Sequence, residues 1–470
     1  MNVARRKDKD EAIPTGRVRR AAKVAGVAVN QGARNYATKA GNLTRDEDGR
    51  RAAAERRQID AAEQIVDVLG QMKGAAMKVG QVMSFMDTGA LPPDVQERFQ
   101  AKLGALRDSA PKASFAEMRK VIENDLDEPL EDVFDEFEEE ALAAASIGQV
   151  YRARLHDGRR VAVKVQYPAV AQAVRADMQN LGLILRAAKT MAPGIDSKAM
   201  AAEIRDRIYE ELDYEHEAQA QRQMARLWRD HPFVVVPDVV TSLSRERVLV
   251  TEWVDGERFD DVMERSQEER NHFGEIALRF FVGGLYRTGF ISGDPHPGNF
   301  LRQDDGRVAF LDFGMTRHVP RGHVEDKMEL FRAGLAGDAQ RYHDCAVRIG
   351  FFPGAEVNPD RALEHFHAVT EWWREDRTFT IDQPYIRRVM IDLGDPRSEH
   401  WGIMRKSTIP AEALLAGRTE TLTLGVLGQL EAGANWHRIM SEYIADGPPS
   451  TPLGEQDAAY WRESPARHAA

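Results

Sequence analysis

Three short stretches hold residue types suited to phosphoryl transfer. The first is Asp294-Pro295-His296-Pro297-Gly298-Asn299, an Asp and an Asn five positions apart in a segment too rich in Pro and Gly to be helical. The second, Asp312-Phe313-Gly314, begins thirteen residues after Asn299. The third is Val161-Ala162-Val163-Lys164-Val165, a lysine inside an apolar β-branched run. Phosphate oxygens carry concentrated negative charge, which Mg²⁺ neutralises during transfer. Mg²⁺ takes hard oxygen donors, and the Asp312 carboxylate and Asn299 amide oxygen are such donors. Asp294 is a second carboxylate able to orient or deprotonate an attacking hydroxyl. Gly314 lets the chain turn sharply after the metal ligand. A lone D-F-G is usually only a turn; D-x-x-x-x-N followed by D-F-G at this separation is a much stronger signal.

Lys164 stands 130 residues before Asp294, where kinases place the lysine that grips the α- and β-phosphates. A buried ammonium needs an acid beside it, whereas an edge strand would leave Lys164 in water. Glu211 and Glu217 are the candidate acids, within Glu210-Glu211-Leu212-Asp213-Tyr214-Glu215-His216-Glu217. Asp213 and Glu217 are four apart and share a helix face; Glu211 lies on another. Ahead of the lysine strand, Ala143-Ala144-Ala145-Ser146-Ile147-Gly148-Gln149-Val150 keeps the last Gly and the Val of a G-x-G-x-x-G-x-V phosphate loop, with alanines at the first two glycines.

The elements that must position these residues follow from periodicity. Apolar or small residues at steps of three and four predict a helix over 51–86, broken by Leu91-Pro92-Pro93, then helices over 94–107 and 114–126. The acidic run 123–140 reads as solvated surface. Three strands are expected over 142–146, 148–155 and 160–166, the last two joined by the hairpin signal Asp157-Gly158. Helices are expected over 169–190 and 197–228, strands over 234–236 and 248–252, and a mainly helical segment from 259 to 444, interrupted by the Gly/Pro/Asp-rich stretch 290–316. The expected organisation is therefore a basic, flexible arm (1–50), a helical extension (51–130), a β-rich lobe with inserted helices (131–255), a helical lobe carrying the catalytic and metal-binding loops (256–446) and a disordered tail (447–470).

Bulk properties narrow the function. At 470 residues the chain exceeds what one core supports, and 43% hydrophobic with 30% charged residues is a globular composition. A single cysteine, Cys345, rules out an internal disulfide and fits a reducing compartment. No apolar run reaches membrane-spanning length, and Lys23 interrupts the short apolar stretch near the start, so neither a transmembrane helix nor a signal peptide is expected. A cytoplasmic protein is the expectation. Residues 1–57 carry 15 Lys/Arg against 7 Asp/Glu, although the net charge of the chain is −11. The acidic remainder argues against nucleic acid as a partner, while the basic arm suits peripheral contact with an anionic membrane or isoprenoid lipid.

The alanine loop, the A-V-K strand, E-L-D-Y-x-x-E-A at 211–218, G-D-P-H-P-G-N at 293–299 and D-F-G at 312–314 together resemble the UbiB/AarF family of atypical kinases. Lys78-Val79-Gly80-Gln81 matches that family's K-x-G-Q signature letter for letter, and the resemblance covers about residues 55–320. It implies an α+β, bilobal protein-kinase-like fold with a helical N-terminal extension and a mainly helical C-lobe, binding ATP or ADP with Mg²⁺. By the same resemblance, Lys164 pairs with Glu217 and contacts the phosphates, Asp294 takes the catalytic-base position, and Asn299 and Asp312 hold the metal. Ala143, Ala144, Ala145 and Ser146 cover the phosphates, and Glu252 and Val254 meet adenine at the hinge. Lys78 and Gln81 enter the cleft and meet Glu211 and Asp213. The family is linked to isoprenoid-quinone and lipid metabolism, with weak ATPase activity in place of ordinary protein-kinase activity. Some family members carry C-terminal membrane spans, and no such span is expected in this sequence. Two competing readings stand: a small-molecule kinase of the aminoglycoside or choline type, which shares D-x-H-P-G-N, and a nucleotide-binding scaffold without turnover.

Overall fold

The structure is a computed structural model that describes residues 113–145, 147–168, 170–172, 174, 212–352, 356–394, 398–404, 406–408 and 411–463. Nearly all of these belong to one compact unit, made of 83–92, 112–168 and 204–470; its fold is α+β and bilobal.

The smaller lobe opens with helix α1 (Phe115–Leu126). Ser114 and Glu117 form a capping box at its start, the Ser114 amide donating to Glu117 at 3.0 Å and its hydroxyl at 2.8 Å. Met118, Val121, Ile122 and Leu126 recur on one face and are buried. They pack on the valines of a five-stranded sheet, joining Val161, Val163, Val165, Val248 and Val250 in one core. A short helix, α2 (Leu130–Val133), leads into that sheet. Its strands are β1 (Phe134–Phe137), β2 (Ala143–Ala144), β3 (Gly148–Leu155), β4 (Arg160–Gln166) and, after an inserted segment, β6 (Val248–Glu252). The order is β1-β3-β4-β6, with β2 added on β3. Gly158 takes φ +86° in the β3–β4 turn, as the Asp-Gly signal predicts.

Two expectations are corrected here. The acidic run is not wholly solvated surface, because Phe134 within it is buried and β1 pairs antiparallel with β3. Helix α1 is part of the small lobe and not of an extension reaching to 130, since its apolar face completes the sheet core. The asparate Asp125 adds to this by accepting from the Arg247 and Val248 amides at 2.8 and 3.0 Å, at the start of β6.

Helix α3 (Tyr214–Leu227) and strand β5 (Val234–Val235) precede β6. Beyond 253–256 the larger lobe contains a four-stranded sheet of order β5-β10-β9-β7, from β7 (Glu257–Arg258), β9 (Phe300–Arg302) and β10 (Val308–Phe310). A two-stranded ladder joins β8 (Phe290–Ser292) to β11 (Thr316–His318). The turns after β8 and β10 carry the two acidic motifs. Helices α4 (Phe259–Met263), α5 (Gln267–Leu278) and α6 (Gly284–Thr288) lie between β7 and β8, with a π-helical turn at Arg279–Gly283 between α5 and α6. Phe280 from that turn stacks on Phe310 of β10, ring centroids 3.8 Å apart, seating the strand before Asp312 on the helical core.

Helices α7 (Arg321–Leu335), α8 (Ala339–Arg348), α9 (Pro359–Val369) and α10 (Glu371–Arg374) follow. Then come α11 (Gln383–Gly394), α12 (Trp401–Met404), α13 (Ala411–Gln429), α14 (Trp436–Ile444) and α15 (Pro452–Glu463). Two short strands, β12 (Phe379–Thr380) and β13 (Gly433–Ala434), pair among them. Helix α15 corrects the expected disordered tail over 452–463. Its Leu453, Asp457 and Trp461 are buried, because Trp461 packs edge-on against Trp228 and Asp457 meets His231 and Arg287. Among the described residues no helix is long and apolar enough to cross a membrane.

Candidate active site

Lys164 lies on β4, which runs between β3 and β6, so the edge-strand reading fails. Val161, Val163 and Val165 point into the core, and alternation sends Lys164 to the opposite face of the sheet. There its ammonium donates to both Glu217 carboxylate oxygens, at 2.7 and 3.0 Å, and to Asp312 Oδ2 at 3.5 Å. The Tyr214 ring centroid is 5.0 Å away. Burial works against the charge, but Asp312, Glu217 and Tyr214 hold the lysine pKa well above its usual range.

Glu217 sits in the first turn of α3 and is buried. Asp213 caps this helix, its carboxylate accepting from the Glu215 amide at 3.0 Å. With φ −120° and ψ 98° Asp213 stands outside the helix, so it does not share the Glu217 face as four-residue spacing predicts. Of the two candidate acids, Glu217 is the one placed on Lys164; Glu211, Ser146, Lys78 and Gln81 lie outside the described residues.

The two acidic turns meet below the lysine. After β10, Asp312 Oδ1 accepts from the Gly314 amide at 3.0 Å, which fixes the carboxylate on its own turn. Phe313 is fully buried in the larger lobe. After β8, Asp294 precedes a 3-10 turn at Pro297–Asn299, which Asn299 ends. The Leu311 amide donates to Asn299 O at 3.0 Å and the Gly293 amide to Met315 O at 2.6 Å, so the loops are joined on both sides of Asp312. Asn299 Nδ2 donates to Asp294 Oδ2 at 3.4 Å, which turns its amide oxygen toward other partners.

One residue here carries no sequence signal. Arg418 on α13 donates to Asp294 Oδ1 at 3.3 Å, to the Gly293 carbonyl and to Met315 Sδ at 3.7 Å. Its partner is 124 residues away in the chain, and no motif spans that interval.

The expected phosphate cover takes hairpin form. Ala143 and Ala144 form β2 opposite Val150 and Gln149, and the Ala145 amide donates to Gly148 O at 2.8 Å. Gly148 has its own steric reason: a Cβ there would lie 2.1 Å from the Val165 carbonyl oxygen, across the pair with β4. Glu252 ends β6 opposite Val161, and its amide is taken by Asp238 O at 2.9 Å. Val254 follows in the link between the lobes. Among the described residues no three His, Cys, Asp or Glu side chains converge as a metal cluster. The Asp312 and Asn299 oxygens are instead a partial donor set of the hard kind that suits Mg²⁺, which is commonly held by one or two protein groups together with phosphates and water.

Comparison with known proteins gives the family. The model of the ABC1 atypical kinase-like domain matches residues 105–346. The chain is 32% identical to the atypical kinase coq-8, mitochondrial, of Caenorhabditis elegans over 63% of this chain and 40% of that protein. It is 30% identical to the atypical kinase COQ8B, mitochondrial, of Danio rerio over 76% and 57% respectively. The chain spans about half the length of the curated relatives it matches. Among solved structures, the complex of Rv3197 with erythromycin from Mycobacterium tuberculosis superposes with a TM-score of 0.62 at 29% identity, covering 82% of this chain and 96% of that one. With the matched segment holding the lysine strand, both acidic turns and α3, the chain belongs to the ABC1 family of atypical kinases, of the UbiB/AarF type.

Proposed function

We propose that this chain binds a Mg²⁺–adenine nucleotide between β4 and the two acidic turns and turns it over slowly, in the service of isoprenoid-quinone or lipid metabolism. The observation that supports this most is the convergence of Lys164, Glu217 and Asp312, contributed by three separate elements. Lys164 grips phosphate oxygens while Glu217 keeps it charged and oriented. Asp312 and Asn299 hold the metal through their oxygens. Bound Mg²⁺ supplies neutralisation of the charge on the reacting phosphate oxygens. Asp294 accepts the hydrogen bond of the attacking hydroxyl or water and takes its proton as the new oxygen–phosphorus bond forms and the bond from the γ-phosphorus to the β–γ bridging oxygen breaks, with ADP as the leaving group. Ala143–Ala145 lie over the phosphates, and the Glu252–Val254 backbone borders the adenine.

Calorimetry of ATP and ADP with and without Mg²⁺ tests the reading. Asp312→Asn removes a carboxylate from the metal site and is expected to abolish most of the Mg²⁺ dependence of binding. Unchanged Mg²⁺–nucleotide affinity in that variant would overturn the metal assignment. A second reading, transfer to a hydroxyl-bearing small molecule, draws on the neighbour solved with erythromycin; phosphorylation of added erythromycin in the turnover assay would favour it over hydrolysis.

A further inference from the structure

The larger lobe presents one buried cation to the loop that bears Asp294, and it comes from a helix outside the segment that matches the family. Arg418 lies in the middle of α13, beyond residue 346 where that match ends. Its side chain is 7% exposed. Glu420 anchors the same helix, accepting from Tyr286 Oη at 2.9 Å and Lys327 Nζ at 2.6 Å. Leu415, one turn earlier, packs so closely on Gly293 that a Cβ there would lie 2.5 Å from Leu415 Cδ1 and 2.7 Å from Met315 O. Helix α13 is thus pressed against the backbone just before Asp294, and Arg418 is held where it projects.

The guanidinium reaches three acceptors on the two functional turns. It bonds the Gly293 carbonyl and the Asp294 carboxylate after β8, and Met315 Sδ beyond Asp312-Phe313-Gly314. The planar fork of an arginine can bridge several acceptors at once; an ammonium is a single point charge on a flexible stem. The division of the Asp294 carboxylate matters as well. Oδ1 is taken by Arg418 and Oδ2 by Asn299 Nδ2. A base aspartate released from Oδ1 could rotate away from the hydroxyl it must meet.

We infer that Arg418 is a positioning residue for phosphoryl transfer. Its guanidinium sets the rotamer of Asp294 and locks the Gly293–Asp294 turn to the segment following Asp312. This rests on the proposed nucleotide turnover. The role acts on the geometry of the reacting groups and not on nucleotide capture, so the effect falls on kcat.

The experiment compares parent protein, Arg418→Ala and Arg418→Lys by Mg²⁺–ATP turnover, nucleotide affinity and thermal unfolding. Arg418→Ala is expected to lower kcat by about 100-fold, the scale of a misplacement of about 1 Å in a reacting group, with nucleotide Kd within about threefold of the parent. Arg418→Lys should give an intermediate kcat. Added guanidinium ion should restore part of the Arg418→Ala rate, a rescue that a merely structural role would not show. Parent-like kcat in Arg418→Ala, or kcat and affinity falling together without guanidinium rescue, overturns the inference alone. If Arg418→Ala does not fold, Arg418→Lys decides, and a parent-like kcat there overturns the inference. Absence of turnover in the parent overturns the proposed function and this role with it.

Discussion

Lys164 and Glu217 form a pair whose two members are unequally buried, with side chains 19% and 5% exposed. Removing the lysine leaves a carboxylate in a nearly dry site, which costs more than the intact pair contributes. Lys164→Met is therefore expected to destabilise the fold by about 2–3 kcal/mol, and adding Glu217→Met should return most of that loss. Nucleotide binding should not return in the double variant, because the phosphate-gripping cation is still missing. Urea unfolding and calorimetry on the three variants check this; a double variant no more stable than Lys164→Met would mean the pair is not coupled. At this scale the sequence was readable where spacing encodes chemistry. Lys164 reaches Asp312, and the loop bearing Asp294 and Asn299 is hydrogen-bonded to the segment around Asp312. The choice between Glu211 and Glu217 was open, because a helix register counted from an acidic run depends on where the helix starts. Asp213 proved to be that start. Arg418 was not readable, since its meaning comes from a tertiary approach across 124 residues.

Helix α15 shows how an element can be hidden by its composition. Pro448-Pro449-Ser450-Thr451-Pro452 reads as a polar, proline-rich end. Yet Thr451 Oγ1 accepts from the Gly454 amide at 3.0 Å, and Pro452 begins the helix where its missing N–H costs nothing. The cap signal was present and outweighed by the count of prolines. The helix then docks by Trp461 onto Trp228, just past the end of α3, while Tyr460 Oη donates to the Leu227 carbonyl at 2.8 Å. So α3, which carries Glu217 at one end, is held at the other by α15. Trp461→Ala is expected to cost about 3–5 kcal/mol, as for other buried Trp truncations, measured by urea unfolding; a loss under about 1 kcal/mol, the range of most surface changes, would mean the helix docks without contributing. Strand β1 was hidden in the same way, its acids masking the buried Phe134 that pairs it with the sheet.

For the molecule as a whole, the α15 junction also sets a pH limit on the fold. His231 is fully buried, its Nε2 3.3 Å from Asp457 Oδ1, while the Val234 amide donates to its Nδ1 at 3.3 Å. That arrangement requires a neutral imidazole with its proton on Nε2, because protonating Nδ1 would oppose two N–H groups. Burial pushes the His231 pKa below its usual value, against the pull of Asp457, with Arg287 and Arg279 adding to the depression. The unfolded chain then binds a proton that the folded chain refuses. Stability is retained above the unfolded histidine pKa of about 6.5 and lost as pH falls below it toward the folded value, at up to about 1.4 kcal/mol per pH unit. Unfolding in urea at pH 7 and pH 5.5 should show that decline, and His231→Gln should flatten it; an equal slope in both proteins would place the sensitivity elsewhere. The two-lobed plan itself was legible from the order of periodicities, strands before helices. What was not legible is how the last helix completes the core of the first ones. His231 and Asp457 are 226 residues apart. At a synthesis rate of about 5–20 residues per second, a nascent chain carries His231 and Trp228 without their α15 partners for about 10–45 s. During that interval the seat for Trp461 is an open apolar surface, so completion of the larger-lobe core waits for the synthesis of α15.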